Sequence, residues 1–236
     1  MLILNLGCGT KTSPAATNID WTVFLRVKSS KLAPFLAPLL FTGERRARFE
    51  ALDGSIIVHD LRRGIPADDD TADAVYHSHL LEHIDRPQVS AFFREVRRVL
   101  KPGGVQRIVV PDLERLAREY LSHLDEPSGR SHDEVVARMI EQMVRREPHG
   151  TSMQRPLRRR LENLALGDAR RRGETHQWMW DRVNLADALR AEGFVDVQVV
   201  DFQTSQIEGW NAIGLDLQDS HEYKPGSLYI EAAKPR

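Results

Sequence analysis

The sequence predicts an α/β fold: a mainly parallel sheet flanked by helices, in one domain of residues 1–236 with a helical cap or insertion over 113–175. Three observations predict it. Short apolar runs stop at glycine, aspartate or histidine, as buried parallel strands do at their carboxyl ends. Amphipathic helical stretches alternate with those runs. Residues 113–172 break the rhythm with polar, arginine-rich sequence, and the rhythm then resumes.

Leu2–Leu6 is a short apolar run ending at Gly7-Cys8-Gly9, which reads as a buried strand entering a tight turn. Thr17–Asp20 is a second strand, Ser55–His59 a β-branched third and Asp73–Ser78 a fourth. From Pro87, residues Val89, Phe92, Phe93, Val96, Val99 and Leu100 recur at three- and four-residue steps and paint one apolar helix face. Pro102-Gly103-Gly104 stops that helix, and Val105–Val110 is the fifth strand, ending at Pro111-Asp112. Helical pieces are expected at 113–124, 132–146 and 154–170. A further helix runs from Asp181 to Glu192 and ends at Gly193, a left-handed cap position, with strands following at Val195–Asp201 and Ser227–Ala233.

Composition narrows the function. With 41% hydrophobic and 28% charged residues the chain is globular, and Lys+Arg 33 against Asp+Glu 34 argues against nucleic acid as a partner. The single cysteine, Cys8, excludes an intramolecular disulfide and a cysteine-rich zinc site. A lone cysteine and no visible secretory signal make a cytoplasmic location the expectation. Leu32–Phe41 is the longest apolar stretch, interrupted by Pro34 and Pro38 and shorter than the about 20 residues a membrane span needs. It reads as a lid, or as a surface for a lipid-linked or greasy substrate.

In an open parallel sheet, ligands bind at the carboxyl ends of the strands. The chemistry-bearing residues cluster there: Gly7-Cys8-Gly9, Asp20, Asp60, His77–His83 and Asp112. Gly7 and Gly9 lack a Cβ, so the backbone can turn sharply and approach a cofactor. A carboxylate at the tip of the second strand can accept hydrogen bonds from both hydroxyls of a ribose.

In order along the chain, LNLGCG at 4–9, NID at 18–20, HDL at 59–61, ADAVYHSHLLEH at 72–83 and RRVLKPGG at 97–104 resemble the successive motifs of class I S-adenosylmethionine-dependent methyltransferases. The likeness resumes at HQWMWDRVNLADALRAEGF, 176–194, and SLYIEAAKP, 227–235. It implies a Rossmann-like fold and S-adenosyl-L-methionine as cofactor, with S-adenosyl-L-homocysteine as product. It also implies that Gly7, Cys8, Gly9, Asp20, Asp60, Leu61, Ser78 and His79 line the cofactor, Cys8 by filling space. Only ten residues separate Gly9 from Asp20, too few for the long helix usual in the family. That spacing resembles a bacterial subset linked to polysaccharide or sugar methylation, which implies a small-molecule or glycan acceptor. Self-association into a homo-oligomer is compatible with this.

Methyl transfer to a hydroxyl gains from a base that removes the proton during attack. Candidates after the fourth strand are His77, His79, Glu82 and His83, with His77 and His79 expected to point the same way by strand alternation. The expected assignment is His79 or His83 as base with Asp112 as its partner, and His176 entering the acceptor pocket. Asp112, Glu114 and the histidines also offer ligands to a divalent metal, although no spacing marks a metal site. Arg145-Arg146, Arg158–Arg160 and Arg170–Arg172 read as solvated helix faces or as a site for an acidic acceptor group, and Trp178 and Trp180 as stacking platforms or anchors to the core. N- or C-methylation of a natural-product or quinone-like acceptor, and a catalytically silent cofactor-binding module, are the alternatives.

Overall fold

The computed structural model describes residues 1–31, 35, 43–125, 132–144 and 175–236. Its strands are β1 Ile3–Leu6, β2 Thr17–Asp20, β3 Ile57–Val58, β4 Ala72–Ser78, β5 Leu100–Pro111, β6 Val195–Val200, β7 Leu217–Gln218, β8 His221–Glu222 and β9 Ser227–Ala233. The helices are α1 Val23–Lys28, α2 Glu44–Ala51, α3 Val89–Val99, α4 Leu113–Asp125, α5 His132–Val144, α6 Arg182–Ala191 and α7 Trp210–Ile213. Seven strands form one sheet in the order β3-β2-β1-β4-β5-β9-β6. The first five are parallel, and β9 runs antiparallel to both of its neighbours. This is the mainly parallel, helix-flanked α/β sheet that the sequence predicts.

Alternation along the central strands builds two cores. Leu4, Leu6, Val75, Ile108 and Ile230 face one side, where Phe93, Val96, Leu185 and Leu189 of α3 and α6 cover them. Ile3, Ala74, Tyr76, Val109 and Tyr229 face the other side, against Trp210 and Ile213 of α7. Asp181 caps α6 by accepting from the N–H of Val183 and Asn184, and the Asn184 side chain returns a bond to the Asp181 N–H. Such a reciprocal cap fixes where the helix begins.

Residues 7–16, all of them described, make turns and no helix between β1 and β2. Two buried asparagines, opposite each other in the β1–β2 register, hold this loop. Asn5 Nδ2 donates to Asn18 Oδ1 at 2.8 Å and to the Lys11 carbonyl at 2.9 Å, and Asn18 Nδ2 donates to Ser13 O at 3.0 Å. Lys11 Nζ reaches across to the Leu217 carbonyl, tying the loop to the β7–β8 ribbon.

Three expectations shift. The third strand shrinks to two residues, since it lies at the sheet edge with Ile57 45% exposed. The fifth lengthens, because the chain around Gly103-Gly104 is absorbed by a register shift between Ala72 and Ala74 and the ladder continues. The helix after Pro87 begins as a 3₁₀ turn at Arg86–Gln88. Leu32–Phe41, the 154–170 helix and the three arginine groups lie outside the described residues, except that Phe35 is exposed. No helix among the described residues is long and apolar enough to cross a membrane.

Candidate functional site

The β1 turn is shaped by Gly7 and Gly9, with φ of 65° and 55°, a region that disfavours side chains. Gly7 and Cys8 donate to the Ile19 carbonyl at 2.8 and 3.3 Å, which locks the turn to β2. Gly9 donates to Asp20 Oδ2 at 2.6 Å, and Trp21 N–H donates to Oδ1. Asp20 therefore lies against the glycine turn. Burial raises its pKa, against the lowering effect of these two donors. A Cβ on Gly9 would meet nothing within 4 Å, so the turn presents bare backbone to open space beside a buried carboxylate. Each Asp20 oxygen retains a lone pair to accept from a hydroxyl, and this pair of acceptors fits the ribose of an adenosyl cofactor.

Cys8 packs with Leu25, Leu52 and Ile56, and burial, followed by Asp20, pushes its thiol up to about 12, in keeping with a space-filling residue. Asp60 caps the 3₁₀ turn Leu61–Arg63, and its carboxylate pairs with Arg62 at 2.8 Å. Leu61 packs on the core. β3 joins this group through the His59 N–H, which donates to the Asp20 carbonyl at 3.0 Å.

Ser78 ends β4, and the chain turns at His79, whose φ is +50°. That turn breaks the alternation, so His77 and His79 do not share an environment. His77 is fully buried beneath Phe92, with Gln106 Nε2 at 3.0 Å, and burial drops its pKa to about 4. A neutral, sealed imidazole of this kind is a core residue. His79 is partly exposed, with Nε2 2.9 Å from Ser227 Oγ and Nδ1 3.3 Å from Glu82 Oε1.

The carboxylate beside the imidazoles is thus Glu82, whereas Asp112 Oδ1 caps α4 by accepting from the N–H of Glu114 and Arg115. Glu82 is fully buried, with His83 Nε2 at 3.9 Å and His176 Nε2 at 4.0 Å as well. Burial alone would raise its pKa. His79, then His83 and His176, outweigh burial and bring it to about 2. Backbone contacts clamp the distant segment here, as Gln177 N–H donates to Glu82 O at 2.7 Å.

A cavity of about 420 Å³ opens at the carboxyl ends of β4 and β5. His79, Asp112 and Arg115 line it from the sheet and α4, Arg138, Glu141 and Gln142 from α5, and His176 and Lys224–Ser227 from the far segments. His79, Asp112 and His176 are brought together, while His83 stands behind Glu82. Sequence reasoning missed Arg115 on α4, and also Lys224 and Ser227, whose approach depends on β9 lying beside β5. Trp180 is buried and its carbonyl receives the Leu113 N–H at 3.0 Å, so it anchors the start of α4, whereas Trp178 is 43% exposed.

A family model described as a methyltransferase domain matches residues 4–108, a little under half of the chain. No curated protein sequence matches the chain. Among solved structures, an S-adenosylmethionine-dependent methyltransferase from Archaeoglobus fulgidus is similar at 13% identity and TM-score 0.47, covering 99% of this chain and 86% of that one. One from Mesorhizobium loti is similar at 17% identity and TM-score 0.43, covering 98% and 89%. Human N-acetylserotonin methyltransferase, solved with S-adenosylmethionine, is similar at 16% identity and TM-score 0.43, and this chain spans 48% of its length.

Proposed function

We propose, with the methyltransferase domain of residues 4–108 as premise, that this S-adenosylmethionine-dependent enzyme methylates a hydroxyl of a sugar, glycan or related polar small molecule. When bound, the cofactor supplies an activated sulfonium methyl group. Asp20 holds the ribose hydroxyls, the Gly7–Gly9 turn gives the close backbone approach, and Asp60 and Leu61 flank the base. Ser78 and His79 border the methionine end.

The observation that carries the acceptor class is His79, which opens into a polar cavity while backed by buried Glu82. With Nδ1 directed at Glu82, His79 Nε2 is the proton acceptor, within reach of a hydroxyl near Ser227. The ionised carboxylate then stabilises the imidazolium that forms. Asp112, Glu141, Gln142 and Ser227 offer the hydrogen-bonding density that a polyhydroxylated acceptor satisfies, and a quinone-like ring would leave those groups unpaired.

His79→Ala is expected to lower turnover on the true acceptor by about 10²–10⁴ and to change S-adenosylhomocysteine affinity far less. Labelled-methyl transfer over a panel of hydroxyl, amine and carbon acceptors reads the first effect, and calorimetry the second. Turnover near wild type in this variant removes the base assignment, and preference for amine or carbon acceptors removes the hydroxyl reading.

A further inference from the structure

Glu82 presents an electrostatic problem that the methyl-transfer reading leaves open. Its side chain is wholly buried, and neither oxygen makes a well-formed hydrogen bond among the described residues. The three imidazoles favour its charge from 3.3 to 4.0 Å, yet both oxygens still lack a close partner. His83 and His176 approach it from two segments far apart in sequence, their rings T-stacked at 4.8 Å. Each directs Nδ1 to a backbone carbonyl, His83 to Thr175 O at 3.1 Å and His176 to Gln142 O at 2.6 Å.

An imidazole whose Nδ1–H is given to a carbonyl presents the Nε2 lone pair on its other side. Both Nε2 atoms face Glu82 Oε1, at 3.9 and 4.0 Å. Those separations are too long for hydrogen bonds and leave room for an ion. A cation between the three atoms would give the Glu82 carboxylate the partner it lacks among the described residues. Anchoring Nδ1 on a carbonyl is also how proteins orient histidines as metal ligands.

We propose that Glu82, His83 and His176 form a binding site for one divalent transition-metal ion of the zinc class. One ligand atom from each residue lies within 4.8 Å of the others. Tetrahedral ligands about 2.0–2.2 Å from zinc stand about 3.4 Å apart, so loading draws each imidazole about half an ångström towards Glu82 and closes the widest separation by up to about 1.4 Å. Two imidazoles with one carboxylate favour zinc, cobalt or iron over magnesium and calcium, which take oxygen ligands. His176 lines the cavity, so a remaining coordination position opens towards it. A metal there also staples the 175–178 segment to the end of β4. This inference goes beyond the methyltransferase reading and does not depend on it.

The test uses the full chain, stripped with chelator and then titrated with Zn²⁺ or Co²⁺ at neutral pH. The expected result is about one ion per chain by elemental analysis, visible cobalt bands of four- or five-coordinate geometry, and a melting temperature raised by zinc and not by magnesium. His176→Gln and His83→Gln should each weaken zinc binding by about tenfold or more, and both are read by metal affinity instead of activity. Failure to take up micromolar zinc, or uptake unchanged in both variants, overturns the site. Calorimetry with S-adenosylhomocysteine, run on the same stripped protein, keeps the two readings apart. Cofactor binding without zinc uptake sinks the metal site alone, and zinc uptake without cofactor binding sinks the methyltransferase reading alone.

Discussion

At Asp20 two opposing effects meet. Burial works against the charged carboxylate, and the Gly9 and Trp21 amides work for it. A hydrogen bond from a ribose hydroxyl to this charged group contributes about 1.5–3 kcal/mol, so losing even one in Asp20→Ala should weaken S-adenosylhomocysteine binding by about tenfold or more. Calorimetry on a variant with an unchanged far-ultraviolet spectrum checks it, and unaltered affinity would remove Asp20 from the cofactor site. Asp20 was legible in the sequence because a strand tip is marked by local pattern. The environment of His79 was not. Alternation paired it with His77, and only the +50° φ after β4 separates a sealed core imidazole from one that faces the cavity. Glu82 stood among the candidate bases, but its burial arises from residues 175–178 folding over it, which no local pattern encodes.

Elements whose ends carry chemical punctuation were the most legible. β2 stops at Asp20 and β9 occupies Ser227–Ala233, as predicted, because polar or glycine residues flank short apolar runs. α6 begins where Asp181 and Asn184 cap it. Asp181→Ala leaves two backbone donors without their acceptor and should cost about 1 kcal/mol, read as a lower urea midpoint with an unchanged slope. In α3 the apolar stripe packs against the sheet, and Phe93 is fully buried at its centre. Phe93→Ala should cost about 3–5 kcal/mol by the same measurement, and a loss under about 1 kcal/mol would show that the stripe is not the core. β3 was less legible, since an edge pair keeps only what its neighbour's register holds.

On the scale of the whole molecule, a buried ion cluster joins the sheet to the C-terminal segments. Arg107, fully buried on β5, pairs with Asp216 and Glu231 at 2.7 Å each and donates to the Asp201 and Thr204 carbonyls. Tyr76 and Trp210 bond the same Asp216 carboxylate. Arg107→Ala leaves two buried carboxylates without their cation and should cost about 3–5 kcal/mol. Burial raises the Asp216 pKa, with Arg107 the first of the groups opposing it. An acid whose folded pKa is raised adds stability at low pH and loses it as pH climbs through that value. Without Arg107 the rise is larger, so the variant's deficit against wild type should shrink as pH falls from neutral into the acid range. Melting temperatures across that range check the sign, and a constant deficit would refute it. Strand order was the least legible level: the run at 227–233 identifies β9 but not its slot between β5 and β6, which depends on long-range pairing such as Arg107 with Glu231. That slot has a consequence for synthesis. While a ribosome is still delivering residues before 227, β5 has an unpaired flank and β6 has nothing to lie against, so the nascent protein exposes a sticky edge until residues 227–233 have emerged.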